Sequence, residues 1–571
     1  MVSEPTLFYL ITELYIQDWM EMINGLNKKD LMFLDIETTM DHQKIHLAVT
    51  KKFQEKPKCH YSEESLKEEI AGNILVAHNG IGFDFPVLNK LWNMKIKLNQ
   101  VMDTLVLSRL LNPQRGKHSL SVWGKTLGFP KIEFNDFDNY SKEMEEYCIR
   151  DVELLEVVYK ELDKEKNSYG FSEKSIKLEH QVYAIVKKQV DKGFKINSTK
   201  CKAMVDKFKE RTEHIRERLS ETFKPIITKR ISEKTKKRLK DDIEIFNPAS
   251  RQQIAKRLQG LGWQPKKKTE KGSIIIDEQV LATIDFPEAR LLEEYLLIQK
   301  RLAQVESWIK HTNDRNRVCG QVVTNGAVTG RFTHHSPNLG QVPSVNAPYG
   351  KECREVWVVD EGKKLVGIDA SGLELRMLAH YMNDPVYTKE VVDGDIHSKN
   401  QKLANLDTRA KAKTFIYAFL YGAGSYKLGQ ITGKKGNTVV NDFLDNLPAL
   451  ASLKERIANN LEKKETLRGL DGRRLFVRSS HSALNTLLQS AGAIVMKEAL
   501  VIFNKYLKLY ELEAEFVANV HDEWQLEATE EDAEMVGEIG VKAIIDAGKS
   551  LELRCPLDAE FKIGNNWKET H

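Results

Sequence analysis

The sequence is poor in cysteine and in net charge. Six cysteines (Cys59, Cys148, Cys201, Cys319, Cys353 and Cys555) are scattered over 571 residues without a CxxC pair. That excludes a disulfide framework and paired-cysteine zinc sites, and it predicts free thiols in a reducing compartment. The 86 basic residues are balanced by 82 acidic ones, leaving +4. A uniformly basic coat is therefore excluded, and any surface for a polyanion must come from local clustering. A leader-like hydrophobic run is missing as well: the first basic residue is Lys28, and Glu13, Asp18 and Glu21 interrupt the apolar start. No signal peptide, transit peptide or membrane span is legible, so a soluble, cytoplasmic protein is expected. Repeats and low-complexity segments are also wanting, and the length predicts more than one domain at the usual size of about 100 to 200 residues.

What is present includes an unusual stripe. In the run from Arg409 to Gly424, Arg409, Lys413, Tyr417 and Tyr421 recur every four residues. A helix advances by only about 40° net over four residues, so the four side chains share one face. Like charges one turn apart repel mildly. Such a stripe is either a solvated basic face or a site where a polyphosphate meets the cations and a sugar or base meets the rings.

The N-terminal part reads as α/β. A strand is predicted at Phe8 to Ile11, a helix over Glu13 to Leu26, and a buried strand over Leu31 to Leu34 ending at Asp35. Further strand candidates lie within Lys44 to Phe53 and Asn73 to His78, and the charged stretch Glu161 to Lys166 suggests a boundary near residue 170. Ser172 to Glu221 is predominantly helical in pattern. Lys224 to Lys240 then carries eight Lys or Arg residues against one acid, either a solvated segment or a contact for phosphates.

Two sets of carboxylates follow strand patterns. In the first, Asp35 and Glu37 are two residues apart and share a face if the strand continues. Asp84 closes the run His78-Asn-Gly-Ile-Gly-Phe-Asp84, and Tyr147 and Asp151 lie at i and i+4. In the second, Lys364-Leu-Val-Gly-Ile-Asp369 precedes Glu374, and Phe516 to Leu526 reads as a hairpin with His521, Asp522 and Glu523 at its turn. Taken singly, each acid pair suits a turn or a polar loop as well as a metal. Acid sets of this kind favour hard cations such as Mg²⁺ or Mn²⁺, two of which can stabilise both oxygens of a phosphodiester exchange.

From Asp35 to Asp151 the chain resembles the DnaQ-like 3′-to-5′ proofreading exonucleases. The remainder resembles motifs A, B and C of family A DNA polymerases of the T7-like phage replicative type. That likeness is supported by Thr329-Gly-Arg331, Pro337-Asn-Leu339, Gly394-Asp-Ile-His397 and Ala483 to Gly492. The resemblance implies an RNase H-like α/β exonuclease domain over 1–170 and an α+β polymerase domain over 171–571. Within the latter the thumb would span about 195–305, the fingers about 386–480, and the palm the rest. In the exonuclease domain Asp35, Glu37, Asp84 and Asp151 would bind metal, with Tyr147 orienting the attacking water. Asp369, Asp522 and the backbone of Ala370 would hold two Mg²⁺ (or Mn²⁺) ions, with Glu523 beside them. Arg409, Lys413 and His397 would hold the triphosphate, and Tyr417 and Tyr421 would face sugar and base. Glu374, held by Tyr421, would be a steric gate against ribose.

The same resemblance places Arg354, Gln489, His521, Asn485 and Arg331 against DNA. It implies primer-template DNA and dNTPs as partners, with a helicase-primase and a single-strand binding protein as family-level expectations, and host cytoplasm if a virus encodes the chain. Close phage relatives carry a long thumb insertion that binds thioredoxin. Only the basic stretch between Phe223 and Phe246 stands in that place here, so thioredoxin is not expected as a partner. Ala418 replaces the usual glycine, and Tyr417 implies ready acceptance of dideoxynucleotides. The rival readings are a single-subunit RNA polymerase, against which the exonuclease motifs and Glu374 speak, and a binding or degradative protein with an inert polymerase half.

Overall fold

The computed structural model describes residues 28–571 apart from Ser232, Thr235, Lys236, Lys266, Lys267, Glu270, Lys271 and Glu465. The strand expected at Phe8 to Ile11 and the helix over Glu13 to Leu26 lie outside the described residues. The apolar run at Leu31 opens a strand, Leu31–Thr38, whose first four side chains are fully buried. The strand continues past Asp35, so Asp35 and Glu37 sit inside regular extended backbone and point to one face. It pairs antiparallel with Ile45–Lys52 and parallel with Ile74–Ala77, at the centre of a five-stranded sheet completed by Lys58–His60 and Val101–Asp103.

Helix Lys142–Tyr169 covers this sheet. Ser141 caps it by accepting the Met144 N–H (3.1 Å), and Gly170 ends it in the left-handed region (φ 59°). The charged stretch Glu161 to Lys166 is thus the last turns of a continuous helix. Met144, Cys148, Val152, Leu155 and Leu162 form its buried stripe, which carries Tyr147 and Asp151 at its margin.

After helix Glu173–Lys192 and strand Phe194–Ile196, helix Ser198–Thr222 packs against Pro287–Lys310. Between them rises a small hairpin, Ile226–Thr228 with Asp242–Glu244. A second sheet is antiparallel throughout, in the order Ala514–Val520, Glu523–Thr529, Lys363–Ala370, Ala559–Gly564. Helices Ala483–Leu509 and Ala533–Ser550 back it in the largest core. Among the described residues one helix, Ser480–Leu509, is long and apolar enough to cross a membrane, and 83% of its apolar window is buried inside the molecule. A row of shorter helices from Pro385–Val392 to Pro448–Lys464 leads out from the second sheet and returns through the hairpin Thr466–Arg468 with Arg474–Phe476.

Candidate active sites

The first acid cluster gathers on the central strand of the five-stranded sheet. Asp35 and Glu37 come from Leu31–Thr38, Asp84 from the first turn of helix Asp84–Leu91, and Asp151 from the covering helix. The Cys148 thiol donates to Asp35 Oδ2 (3.8 Å), and ligand atoms of Asp35, Glu37 and Cys148 lie within 4.8 Å of one another.

Burial pushes the Asp35 carboxyl well up, and repulsion from Asp84, Glu37 and Asp151 adds to it. Glu37 is pushed up to about 8 by burial and by Asp151, and Asp84 to about 7, chiefly by burial. Asp84 Oδ1 and Asp151 Oδ1 are buried with no hydrogen-bond partner among the described residues. Crowded, protonation-prone carboxylates with spare oxygens are a cation site in chemical terms. Lys131 partly meets the demand: its ammonium lies 2.5 Å from Asp151 Oδ2 and 4.7 Å from the centre of the Tyr147 ring. Sequence reasoning missed Lys131, which lies on an irregular stretch with no motif around it.

The second cluster is built by the antiparallel sheet. Asp369, next to last in its strand, lies directly opposite Glu523, and the Ala370 N–H donates to the Asp522 carbonyl (3.2 Å). His521 takes a left-handed conformation (φ 57°), which turns the hairpin tightly enough to bring Asp522 back over Asp369. Burial, Asp522 and Glu523 push Asp369 up to about 7, while burial and Glu374 push Asp522 up to about 6. Glu523 is committed elsewhere. Its carboxylate accepts from Trp567 Nε1 (2.5 Å) and Gln525 Nε2 (2.6 Å) and pairs with His571 Nδ1 (2.8 Å). Burial opposes its ionisation, yet His571 and Arg354 hold it below the usual carboxylate range. His571 carried no signal in the sequence.

Facing these acids is helix Arg409–Leu420. Thr408 Oγ1 caps its start by accepting the Lys411 N–H (3.2 Å). Gly422 (φ 76°) ends it, with the Ala423 N–H returning to the Ala418 carbonyl (2.9 Å). The helix therefore stops short of Gly424, and Tyr421 caps it. The Tyr421 hydroxyl donates to Glu374 Oε1 (2.8 Å), which also lies 3.4 Å from Arg331 Nη2. Arg409 and Lys413 are exposed and Tyr417 is half-buried. Arg409 forms two bonds to Asp395 (2.7 and 3.0 Å), a partner that sequence reasoning passed over inside the quoted Gly394-Asp-Ile-His397 run. The His397 ring lies 6.0 Å from that of Tyr417, and its Nδ1 is buried without a partner among the described residues. Burial, Arg409 and Lys413 hold its pKa below the ordinary value. Three nitrogen groups thus converge on one space, an arrangement that favours an anion.

Asn485 and Gln489 lie one turn apart, half-buried, near the start of Ala483–Leu509, and His521 is exposed on its turn. Arg354 is buried instead: its guanidinium stacks 4.4 Å from the Trp567 ring and Nε donates to the Pro343 carbonyl (3.0 Å). The basic segment Lys224 to Lys240 joins the small hairpin, which exposes Ile227, Ile231, Leu239, Ile243 and Ile245. Its surface is apolar as well as cationic.

Comparison with known proteins bears on the second cluster. A family model described as DNA polymerase family A matches residues 226–569. The DNA-directed DNA polymerases of Enterobacteria phage T3 and Escherichia phage T7 are each 34% identical to this chain, covering 89% of it and 94% of their own length. Those alignments run over 663 positions, more than the 571 residues here, so the relatives carry segments opposite gaps in this chain. DNA polymerase I of Aquifex aeolicus is 27% identical over 59% of the chain. Among solved structures, the POL domain of Pol1 from M. smegmatis, in complex with DNA primer-template and dNTP, superposes with a TM-score of 0.79 at 17% identity, covering 94% of this chain and 96% of that one. A match over more than half of the sequence, with phage relatives aligned along nearly all of it, makes this chain a T7-like member of DNA polymerase family A.

Proposed function

We propose that the chain extends a primer 3′-OH on a DNA template with dNTPs at the Asp369–Asp522 cleft, and removes mispaired 3′ ends at the Asp35–Asp151 cluster. The observation that carries the polymerase reading is the convergence of Arg409, Lys413 and His397 on a space beside two raised carboxylates. Arg409 and Lys413 bind the triphosphate. Tyr417 lies against the sugar, and Glu374, oriented by the Tyr421 hydroxyl, crowds a ribose 2′-OH. Asn485, Gln489, His521 and Arg331 touch the primer-template; donors facing the minor groove test pair shape without reading sequence. Arg354 braces the floor of this cleft through Trp567 and Glu523.

The all-oxygen donor sets suit Mg²⁺ or Mn²⁺: Asp369, Asp522 and the Ala370 carbonyl in one cleft, and Asp35, Glu37, Asp84 and Asp151 in the other. Bound there, the ions would activate the attacking oxygen and neutralise charge on the phosphates. In the trimming site Tyr147 orients the attacking water. In this reading 1–170 is the proofreading domain and 171–571 the polymerase. The helix pair Ser198–Thr222 and Pro287–Lys310 is the thumb, the helices from Pro385 to Lys464 are the fingers, and the antiparallel sheet is the palm. The basic hairpin grips duplex phosphates without thioredoxin, and the enzyme works in the cytoplasm beside a helicase-primase and a single-strand binding protein.

The test is a primed DNA template extended with dNTPs or rNTPs, after which nucleotides are withheld. Asp369→Asn should abolish extension and spare trimming, and Asp84→Asn the reverse. Extension surviving Asp369→Asn, or rNTPs used as fast as dNTPs, refutes the polymerase assignment.

A further inference from the structure

The cavity at the first acid cluster, about 630 Å³, is not walled by the N-terminal sheet domain alone. Asp35, Asp151 and Lys131 line one side, and Asn325, Gly326 and Thr333 line the other. Asn325 and Gly326 belong to the loop joining strands Gln321–Val323 and Thr333–His335, far along the chain, and Thr333 opens the second of those strands. The loop is tightly closed: a Cβ on Gly326 would fall 1.8 Å from Thr333 Oγ1. Further along the same loop, Arg331 reaches Glu374 in the other cleft.

Asn325 is 5% exposed, and its amide is held at one end only. Its Oδ1 accepts from Lys497 Nζ (2.9 Å) and Arg473 Nη1 (3.3 Å). Both cations are buried and share Glu179 Oε1 at 2.6 Å each. Two cations on the oxygen fix the orientation of the amide, since the flipped form would set an NH₂ group against them. The Nδ2 group consequently turns away, and it has no hydrogen-bond partner among the described residues. Buried donors are ordinarily paired, so one left over on a residue that lines the cavity calls for an acceptor on the ligand. A nucleic-acid backbone offers such an acceptor at every step regardless of sequence.

We infer that Asn325 is a substrate-binding residue of the trimming site supplied by the polymerase half, its Nδ2–H donating to a backbone phosphate oxygen of the single-stranded 3′ end. The inference rests on the proofreading reading above. Lys497 and Arg473 act through it as positioning residues.

The test is the steady-state kinetics of trimming of a 3′-labelled single-stranded oligonucleotide by the full chain in Mg²⁺, for wild type, Asn325→Ala and Asn325→Asp. Asp keeps both cation pairs but sets an acceptor where the donor was. A contact to phosphate predicts KM raised about tenfold or more in Asn325→Asp, beyond the rise in Asn325→Ala, with kcat within about twofold. A purely structural Asn325 predicts the opposite order: Asn325→Asp at least as active as wild type and Asn325→Ala impaired. That order, or both variants within about twofold of wild type, overturns the inference. A wild type that extends primers yet trims nothing in Mg²⁺ or Mn²⁺ overturns the proofreading reading and this inference with it. Melting curves of the three proteins separate a folding defect from lost binding: a KM effect that tracks a lowered Tm counts against the contact.

Discussion

Loading the polymerase cleft with a divalent cation should release protons, and the amount follows from the two carboxylates. With Asp369 at about 7 and Asp522 at about 6, the metal-free cleft holds about 0.6 proton at pH 7 and about 1.4 at pH 6. Metal ligation needs both carboxylates ionised, so those protons leave on binding. Raising Asp369 from 3.8 to about 7 corresponds to about 4 kcal/mol, at about 1.4 kcal/mol per unit, of disfavour for its charged form, which a cation relieves.

The sign for stability follows. The folded, metal-free protein binds more protons than the unfolded chain between about pH 4 and 7, so these groups lower stability as pH rises through that window. Mg²⁺ should restore it. Titration calorimetry of Mg²⁺ binding in buffers of differing ionisation enthalpy measures the release directly. The Asp84→Asn variant subtracts part of the exonuclease cluster's contribution, where Glu37 at about 8 and Asp84 at about 7 release protons too. In Asp369→Asn, release at pH 7 should fall by about half a proton or more. Heats independent of buffer at both pH values, or undiminished release from Asp369→Asn, would refute the reasoning.

Three further outcomes are expected. Tyr421→Phe frees the Glu374 carboxylate from its 2.8 Å bond, so the rNTP-to-dNTP incorporation ratio should rise about fivefold or more, read by single-nucleotide extension. Asp395→Asn keeps the helix cap over His397 and Ser398 but removes the charge that holds Arg409; the KM for dNTP should fall by up to about fivefold, and an unchanged KM would show that the pair does not compete with the triphosphate. Tyr417→Phe should discriminate more strongly against dideoxynucleotides, which chain-termination ladders report; equal termination in both proteins would remove Tyr417 from sugar selection.

The acids of both clusters were legible because their chemistry demands particular residue types at strand ends and helix faces, where local spacing marks them. What joins them was not. Asp369 and Asp522 meet only through a hairpin whose left-handed His521 has no signature beyond an HDE run. The end of helix Arg409–Leu420 was not legible for a local reason: Gly422 and Gly424 both offer a terminating glycine, and only backbone geometry shows that Gly422 takes the left-handed position. Lys131, Asn325 and His571 were invisible because their roles depend on what lies across a cavity or sheet, at sequence distances no periodicity spans.

Those unseen residues share a logic with the visible ones. In each cluster, like-charged carboxylates are forced together, and in each a cation from outside the motif limits the repulsion: Lys131 for Asp35, Glu37 and Asp151, and Arg331 for Asp522. A chain that folds before it meets its metals needs such counter-charges, since uncompensated buried carboxylates would otherwise take up protons or open the site. The counter-charge must also yield when the ions arrive. A half-buried lysine on an irregular segment and an arginine on a loop can do so more readily than a residue inside the sheet, and of the two only Arg331, within Thr329-Gly-Arg331, carries a sequence motif.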